Sequence, residues 1–439
     1  MLRLIPDGRY GLLTAALIWV LVIYLTVPEG FDYSVKDEIG TGNALTKLVW
    51  IALLTFSLTL ILWRRSLAAV MLRWVNPWLL AFIALAALSV VWSIEPSFTI
   101  KRVTRLLTFL TAALAFSLVG WHDRRFQNML RPLVTQLMLG SLIFGLLAPT
   151  LAIEQSEQRE LVGAWHGLAT QKNSLGALAG IGAVLWLHAW LAAESTALKA
   201  LLGGVLCGTC LLLSRSSTSL MATLFALAFM LLLLRSSAAL RPYMPYLVTL
   251  FATLLLIYSL AVLRLVPGSD AVLSPITAIT GKDMSFSGRT QIWDIITERV
   301  AQHPLLGGGY GAYWTGNVPE SQSYEFMGRM NFYPTQTHNG YLDVINDLGV
   351  PGALFLLGFL VAYVRQALAL MRANLIQSAL YLGLLFQQLV GNLSEARWFS
   401  SLSVDFAIMT VASVAMSRVL LNYRLRALGT VSGAGAHAQ

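Results

Sequence analysis

Two arginines and one histidine stand out because their side chains could bind an anion and move a proton. Arg215 lies in the short hydroxyl-rich stretch 214–218, between two apolar runs. A guanidinium group grips phosphate oxygens in a bidentate fork that lysine lacks. Arg289 lies in the first turn of a predicted helix, where the dipole disfavours a cation unless both face the same anion. His338 opens the stretch 338–347, and imidazole accepts a proton near neutral pH.

Each of these residues also has a structural interpretation when it is taken alone. An arginine at a membrane helix end commonly extends its charge to the interface, and a lone histidine is more often structural. Together the three describe one site, provided that their elements lie at one membrane face. Lys172 would attract an anion at that face. Asn173 would cap the helix that begins there, and Ser287 would cap the helix of Arg289.

The elements that must position these side chains are membrane helices. The chain is 57% hydrophobic and 12% charged, whereas a soluble domain carries about 25% charged residues. Apolar runs long enough to cross a bilayer recur along the chain, and they must be helical because lipid cannot bond the backbone. The runs lie at about 11–27, 48–63, 78–93, 106–120, 133–151, 174–193, 198–213, 219–234, 246–266, 349–364, 375–392 and 402–421. We predict an all-α polytopic membrane protein with about twelve transmembrane helices.

The arginines predict how these helices are oriented. The clusters fall on even-numbered connections and on the tail, which the positive-inside rule makes cytoplasmic. The net charge of +9 therefore reflects topology rather than nucleic-acid binding, and both termini are expected in the cytoplasm. Lys101, Arg102 and Arg105 depart from the rule on the outer side, either as a groove for anionic lipid or as interfacial anchors. The clusters are Arg64, Arg65 and Arg73; Arg124, Arg125 and Arg131; Arg235 and Arg241; Arg365 and Arg372; and Arg418, Arg424 and Arg426.

The longest non-membrane stretch, 267–348, carries Arg289 and His338. A structureless loop of that length is uncommon, so we expect short helices within it. The predicted organisation is transmembrane helices 1–9 in 1–266, this large external loop between helices 9 and 10, helices 10–12 in 349–425, and a flexible cytoplasmic tail in 426–439.

Several other patterns carry no predicted chemistry. Cys207 and Cys210 lie within an apolar run, where packing explains a C-x-x-C pair. The glycine cluster 307–311 is not a nucleotide-binding loop, since no strand precedes it and no Lys-Ser/Thr follows. The sequence contains no Asp-x-Asp and no zinc-ligand cluster, so we predict neither metal nor cofactor. Arginines could neutralise a leaving pyrophosphate instead.

Four motifs in chain order resemble the O-antigen ligase and polymerase superfamily. They are the Gly-rich lead to Lys172-Asn173 with Gly176; Ser214-Arg215; Gly288-Arg289 with Trp293, Pro304 and the cluster Gly307 to Gly311; and His338-Asn339 with Tyr341, Leu342, Gly349 and Gly352. Topology is similar over most of the chain, and the motif detail falls mainly within 163–352. The last motif is the most specific. Asp347 departs from the pattern, where glutamate is more usual.

The resemblance implies a bacterial inner-membrane enzyme that works at the periplasmic face. An O-antigen ligase moves a glycan from undecaprenyl pyrophosphate to a sugar hydroxyl of lipid A-core, with inversion and without metal. Carried over by position, Arg215 and Arg289 would hold the pyrophosphate, with support from Lys172. His338 would be the base, and Asn339 and Tyr341 would contact substrate. The expected partners are therefore the lipid-linked glycan donor, the lipid A-core acceptor and membrane lipid.

Other functions remain open at this stage. An O-antigen polymerase of the same superfamily shares the donor chemistry and differs in the acceptor. A protein O-oligosaccharyltransferase is a further relative, although the carboxyl end lacks an added external region. A transporter or flippase would place polar or broken helices near the bilayer midplane. Here the polar groups are concentrated on the outer side, and only His188, within the sixth predicted helix, suggests a polar site inside the membrane.

Overall fold

The computed structural model describes residues 7–28, 33, 44–119, 121–155, 162–237, 239–262 and 289–427. The named elements in these ranges are helices, as predicted. Ser287, the predicted cap, and residues 263–288 of the external loop lie outside the described residues. The α-helices are α1 (Asp7–Thr26), α2 (Ala44–Trp63), α3 (Arg65–Leu72), α4 (Pro77–Leu88), α5 (Pro96–Leu118), α6 (Arg125–Leu147), α7 (Pro149–Ala152), α8 (Lys172–Leu191), α9 (Ala197–Leu213), α10 (Ser217–Arg235), α11 (Met244–Val262), α12 (Arg289–Gln302), α13 (Glu325–Met330), α14 (Gly340–Ala373), α15 (Leu375–Gly391) and α16 (Val404–Ala427).

The length and composition of these helices fit a chain that crosses a membrane several times. Within the described residues, seven helices are long and apolar enough to span a bilayer. The count rises to eight if α3 and α4, which meet at a 101° bend, form one broken span. Three further apolar helices are shorter. The polytopic all-α fold is confirmed, and the count of twelve spans stays a prediction.

Residues singled out within the apolar runs have ordinary packing roles. Cys207 and Cys210 are buried and unpaired, and the Sγ of Cys210 donates to the carbonyl of Met138 at 3.5 Å. His188 is fully buried, and its Nε2 lies 3.1 Å from the backbone oxygen of Ile376.

A break at Gly349 divides α14 into two parts. Its φ of 61° and ψ of −155° are not helical, and glycine reaches this region without a steric penalty. A side chain would also collide there, because a Cβ would lie 2.6 Å from the carbonyl oxygen of Leu305. The amide of Val350 then bonds to the carbonyl of Pro304 at 3.0 Å. The break lets residues 340–348 pack apart from the long apolar helix that follows.

The helices define two ends of the bundle, which we call the site end and the opposite end. Helices α8, α10, α14 and α16 begin at the site end, where α1, α9 and α15 finish. At the opposite end the buried carboxylate of Glu194 pairs with Arg131 and accepts from Gln127 at 3.0 Å. At the site end α8 packs beside α10, which packs against α15. This packing brings distant loops together.

Candidate active site

Glu395 is the centre of the polar cluster at the site end. It lies in the connection 392–403 between α15 and α16, and only 4% of its side chain is exposed. Four side chains donate to its carboxylate: Arg289 Nη2 at 2.7 Å and Asn173 Nδ2 at 2.8 Å on Oε1, and His338 Nδ1 at 3.3 Å and Gln336 Nε2 at 3.4 Å on Oε2. We call these five residues the Glu395 cluster.

The surrounding cations keep Glu395 ionised. Burial by itself raises the pKa of this carboxyl, but the charge and hydrogen bond of His338 and the charges of Arg289 and Arg397 outweigh it. The net result lowers the pKa of Glu395 from 4.5 to about 2. A buried carboxylate that remains charged in this way can hold both a guanidinium group and an imidazole in place.

His338 stands in a backbone conformation that histidine seldom adopts. Its φ is 54°, in the left-handed region that costs a non-glycine residue about 1–3 kcal/mol. The residue that follows fixes the start of α14, since Asn339 Oδ1 accepts the amides of Tyr341 at 3.0 Å and Leu342 at 3.1 Å. About a quarter (26%) of the His338 side chain is exposed. With Nδ1 donating to Glu395, Nε2 is the nitrogen left to accept a proton.

The connection 392–403 is shaped to meet the start of α14. Asn392 Oδ1 accepts the amides of Arg397 at 2.9 Å and Trp398 at 3.2 Å, which turns the chain tightly. The carbonyl of Asn392 also accepts the amide of Gly340 at 2.9 Å. These bonds set Glu395 beside His338.

Arg289 reaches the cluster from the first turn of α12. A second contact ties this helix to the histidine segment, because Trp293 Nε1 donates to the carbonyl of Thr337 at 2.9 Å. Arg289 is partly exposed (21% of its side chain), whereas its carboxylate partner is buried. The predicted proximity of an anion-binding arginine and a candidate base is therefore present, joined by Glu395.

Asn173 and Lys172 begin α8 at the same end. The predicted cap was wrong, because Gln171 occupies the cap position and Asn173 gives its side-chain amide to Glu395 instead. Lys172 is the first residue of α8, next to this contact.

Arg215 lies at the site end but outside the Glu395 cluster. Its φ is 49° and its side chain is exposed, with Nη1 donating to the carbonyl of Val162 at 2.7 Å. The turn that holds it does contact the Glu395 connection, since the hydroxyls of Thr218 and Ser394 are 2.6 Å apart. The structure thus brings Arg289 and His338 together and leaves Arg215 on the adjoining turn.

Asn339 and Tyr341, predicted to contact substrate, are engaged with the protein. Both side chains are buried. The hydroxyl of Tyr341 donates to the carbonyl of Leu389 at 3.1 Å, and its ring meets Trp398 edge-on at 5.0 Å. Their contacts hold α14 against α15 and the following connection. Substrate contact by these two residues stays a prediction.

Arg397, a buried cation, stabilises the packing of the helices around the Glu395 cluster. Arg397 pairs with Asp405 at 3.0 Å, with side chains only 7% and 3% exposed. Its other nitrogen, Nη2, donates to the carbonyl of Asn173 at 2.9 Å and to Ser219 Oγ at 3.2 Å. Arg397 therefore fastens α8, α10 and α16 together.

A cavity of about 330 Å³ opens beside the cluster. Its walls include Leu25 at the end of α1, Arg102 and Arg105 near the start of α5, Asp347 and Glu395. The two arginines that broke the charge rule thus line the same cavity as Glu395, Asn173 and Gln336, whereas Arg289 and His338 are not among its walls. Nη1 of Arg102 donates to the carbonyl of Ser400 at 2.6 Å, while the guanidinium of Arg105 lies 5.3 Å from the centre of the Trp50 ring.

Sequence reasoning missed Glu395 and Arg397. The available signal was their position, since two charges interrupt the short link between the last two apolar runs, and such charges are costly near a membrane. Among the residues described, no group of three His, Cys, Asp or Glu side chains could hold a metal ion. Metal independence stays a prediction.

Comparison with known proteins gives a family match that includes several of the predicted site residues. Residues 202–357 match the O-antigen ligase family, and this stretch contains Arg215, Arg289 and His338. The chain is 26% identical over 300 residues to the exopolysaccharide production protein ExoQ of Rhizobium meliloti (strain 1021). That match covers 65% of this chain and 63% of the relative, which is less than two thirds of its length. Together these findings show that the chain is similar to the O-antigen ligase family over residues 202–357 and to an exopolysaccharide production protein over 300 residues.

Proposed function

We propose that this chain is an O-antigen ligase. It would move the glycan from undecaprenyl pyrophosphate to a sugar hydroxyl of lipid A-core, without metal and with inversion. The observation that carries the proposal is the Glu395 cluster. It holds an arginine suited to phosphate and a histidine suited to proton transfer on opposite oxygens of one carboxylate, at 2.7 Å and 3.3 Å.

The reaction is a single displacement. Nε2 of His338 takes the proton of the acceptor hydroxyl as its oxygen attacks the anomeric carbon. The bond from that carbon to the pyrophosphate oxygen breaks, and undecaprenyl pyrophosphate leaves with the bonding electrons. Attack opposite the leaving group inverts the anomeric centre. Negative charge grows on the pyrophosphate during this step, so fixed guanidinium groups help most in the transition state.

The arginines have different places in this scheme. Arg289 would grip the pyrophosphate next to the base. Arg215 would bind the same group from the neighbouring turn. Its guanidinium is exposed there, and its Nη1 donates to the carbonyl of Val162. Lys172 would add charge at the start of α8. The cavity beside Glu395 would receive the sugars that react.

The distribution of arginines supports a periplasmic site. The opposite end of the bundle carries arginines such as Arg124, Arg131 and Arg426. The site end also carries arginines, among them Arg289 and Arg397, and these pair with the buried carboxylates of Glu395 and Asp405. By the positive-inside rule the opposite end faces the cytoplasm. The Glu395 cluster would then face the periplasm of a bacterial inner membrane, where a lipid-linked glycan could reach it.

A polymerase is the second candidate, and the name of one relative favours it. ExoQ is called an exopolysaccharide production protein, which fits extension of a glycan better than transfer to lipid A-core. Both reactions use the same donor and the same base. They differ only in whether the acceptor hydroxyl belongs to lipid A-core or to a second lipid-linked glycan.

One experiment separates these functions. The purified protein is incubated with a glycan on undecaprenyl pyrophosphate, with and without lipid A-core. A ligase makes glycosylated lipid A-core, whereas a polymerase lengthens the lipid-linked glycan without it. Movement of the donor across vesicles with no new glycosidic bond would indicate a transporter and overturn the proposal.

His338→Asn and His303→Asn form a matched pair for the same assay. Asparagine tolerates a positive φ, so the first variant keeps the backbone conformation of residue 338 and loses the base. His303 is exposed just beyond α12. We expect His338→Asn to lose transfer by about 100-fold or more and His303→Asn to behave as the wild type.

A further inference from the structure

Glu395 joins two groups that the reaction uses at different moments. Arg289 is expected to meet the donor, and His338 is expected to meet the acceptor hydroxyl. In the structure both side chains donate to one buried carboxylate, Arg289 to Oε1 and His338 to Oε2 of Glu395. A change in what one partner does must therefore alter the charge that the other partner feels.

We propose that Glu395 is a positioning residue that couples donor binding to activation of the base. This inference rests on the proposed function. Before the donor arrives, the negative charge of Glu395 is shared between Arg289 and His338. When a diphosphate binds Arg289, the guanidinium turns toward the stronger anion, and Glu395 is left to serve His338. The base is then more effective when the donor is in place than when it is absent.

The electrostatics favour such an exchange. Charges a few ångströms apart in a partly buried site interact strongly, because little water lies between them to screen the interaction. A diphosphate carries more charge than one carboxylate and matches the guanidinium fork. Arg289 is partly exposed, so it can move, whereas Glu395 is almost fully buried. Losing Arg289 from Glu395 strengthens the hold of that carboxylate on a protonated imidazole, which favours proton uptake by His338.

Glu395 keeps its position when Arg289 turns away, because other contacts remain. Asn173 Nδ2 stays on Oε1 at 2.8 Å, and Gln336 Nε2 stays on Oε2 at 3.4 Å. Gln336 is itself fixed, since its Oε1 accepts the amide of Ala396 at 3.2 Å. The carboxylate is therefore held by neutral donors that do not compete for the substrate.

Two other charged groups near the pair, Arg397 and Asp343, are already engaged. Arg397 of the same connection is paired with Asp405 of α16 at 3.0 Å. Asp343 of α14 accepts Trp314 Nε1 at 3.1 Å and the amide of Thr337 at 3.2 Å. Arg289 of α12 is the cation that the donor can draw away from Glu395. Donor binding thus alters one charge in an otherwise fixed surrounding.

The test uses Glu395→Gln in the full-length protein in lipid nanodiscs, with two separate measurements. The first is direct binding of undecaprenyl pyrophosphate without acceptor. The second is glycan transfer as a function of pH. Glutamine frees Arg289 from its carboxylate, so the Kd for undecaprenyl pyrophosphate should fall about fivefold or more, within the usual range of coupling between sites.

Transfer should change in the opposite direction. We expect kcat to fall about 100-fold, because the base loses its oriented carboxylate. The acidic limb of the rate profile should also move to lower pH, since a protonated imidazole is no longer stabilised. A purely structural role would weaken both binding and transfer. Equal losses in both measurements, or unchanged transfer, would overturn the inference.

Two further variants keep the result interpretable. Glu395→Asp retains the buried charge on a stem one methylene shorter, which should not reach Arg289 and His338 together. The rate of glycan transfer by Glu395→Asp should fall about tenfold, because this variant loses only part of the coupling. Glu298→Gln removes an exposed carboxylate, 57% accessible and paired with Arg329, and should change neither measurement. If Glu395→Gln does not fold, wild-type transfer by Glu395→Asp contradicts the coupling.

The two proposals fail in different ways. Wild-type protein that binds undecaprenyl pyrophosphate but forms no glycosidic bond with any acceptor refutes the proposed function. Wild-type protein that transfers glycan, together with a Glu395→Gln variant of unchanged pH profile and donor affinity, refutes only the coupling.

Discussion

Nδ1 of His338 lies 3.3 Å from Oε2 of Glu395, although 57 positions separate the two residues in the chain. The bond fixes the face of the imidazole and leaves Nε2 available. The same carboxylate holds Arg289. A candidate base and a candidate anion clamp are therefore one connected unit.

Arg289→Lys should be a poor enzyme although it keeps the charge. Lysine cannot make the bidentate contact with a diphosphate, so we expect transfer to fall about 100-fold, the size of a lost transition-state contact. Arg329→Lys is the control, since Arg329 lies on the neighbouring α13 and is 48% exposed. Initial rates with a lipid-linked glycan measure both. Wild-type rates for Arg289→Lys would remove Arg289 from the donor site.

Arg215→Ala should weaken binding of the glycan donor and leave the fold intact. The side chain is exposed, and its described hydrogen bond is to the carbonyl of Val162, so the melting temperature should change by little. We expect the KM for the lipid-linked glycan to rise about tenfold or more, because a charge-assisted phosphate contact contributes about 1.5–3 kcal/mol. A large fall in melting temperature with an unaltered KM would mean that Arg215 is structural.

The buried ion pair of Arg397 and Asp405 should matter for stability. Removing one partner from such a pair typically costs about 3–5 kcal/mol, because the other charge stays buried and unpaired. Arg397→Met and Asp405→Asn should each lower the melting temperature strongly. The exposed pair of Glu298 and Arg329 should contribute little to stability, because solvent screens its charges. Thermal unfolding in one detergent compares them, and equal effects at both pairs would contradict the expectation.

Acid should destabilise the site through Glu395. Its pKa in the folded protein is about 2, below the ordinary 4.5. Because the folded value is the lower one, the ionised carboxylate stabilises the protein above about pH 4.5, and this contribution disappears as the pH falls toward 2. We expect the melting temperature of the wild type to fall further between about pH 4.5 and 2 than the melting temperature of Glu395→Gln. Parallel curves for the two proteins would show that Glu395 is not a source of acid sensitivity.

Much of this protein could be predicted from its sequence because the signals were local. A low charge content and long apolar runs require helices in lipid, and the helices appear at those runs. Arg289 and His338 were chosen for their chemistry and prove to share a partner. Each of these inferences used residues near one another in the chain.

The rest depended on contacts between distant segments. Asn173 was predicted to cap its own helix, but Glu395, 222 positions away, takes its side-chain amide. Arg215 carries suitable chemistry, yet its turn faces the carbonyl of Val162 rather than the cluster. The sequence left two interpretations of Arg102 and Arg105. In the structure both line the cavity beside Glu395, and Arg102 donates to the carbonyl of Ser400. Side-chain type alone does not specify which of several polar partners lies within 3 Å.

The sequence by itself determined the class of fold and the type of chemistry, since hydropathy and side-chain reactivity are properties of single residues and short runs. Only the tertiary structure decided which residues act together. The tight turn at Asn392, between α15 and α16, carries Glu395 into the space that Arg289 and His338 share. Local hydrogen bonds of Asn392 shape that turn, but only the packing of distant helices brings it to the start of α14.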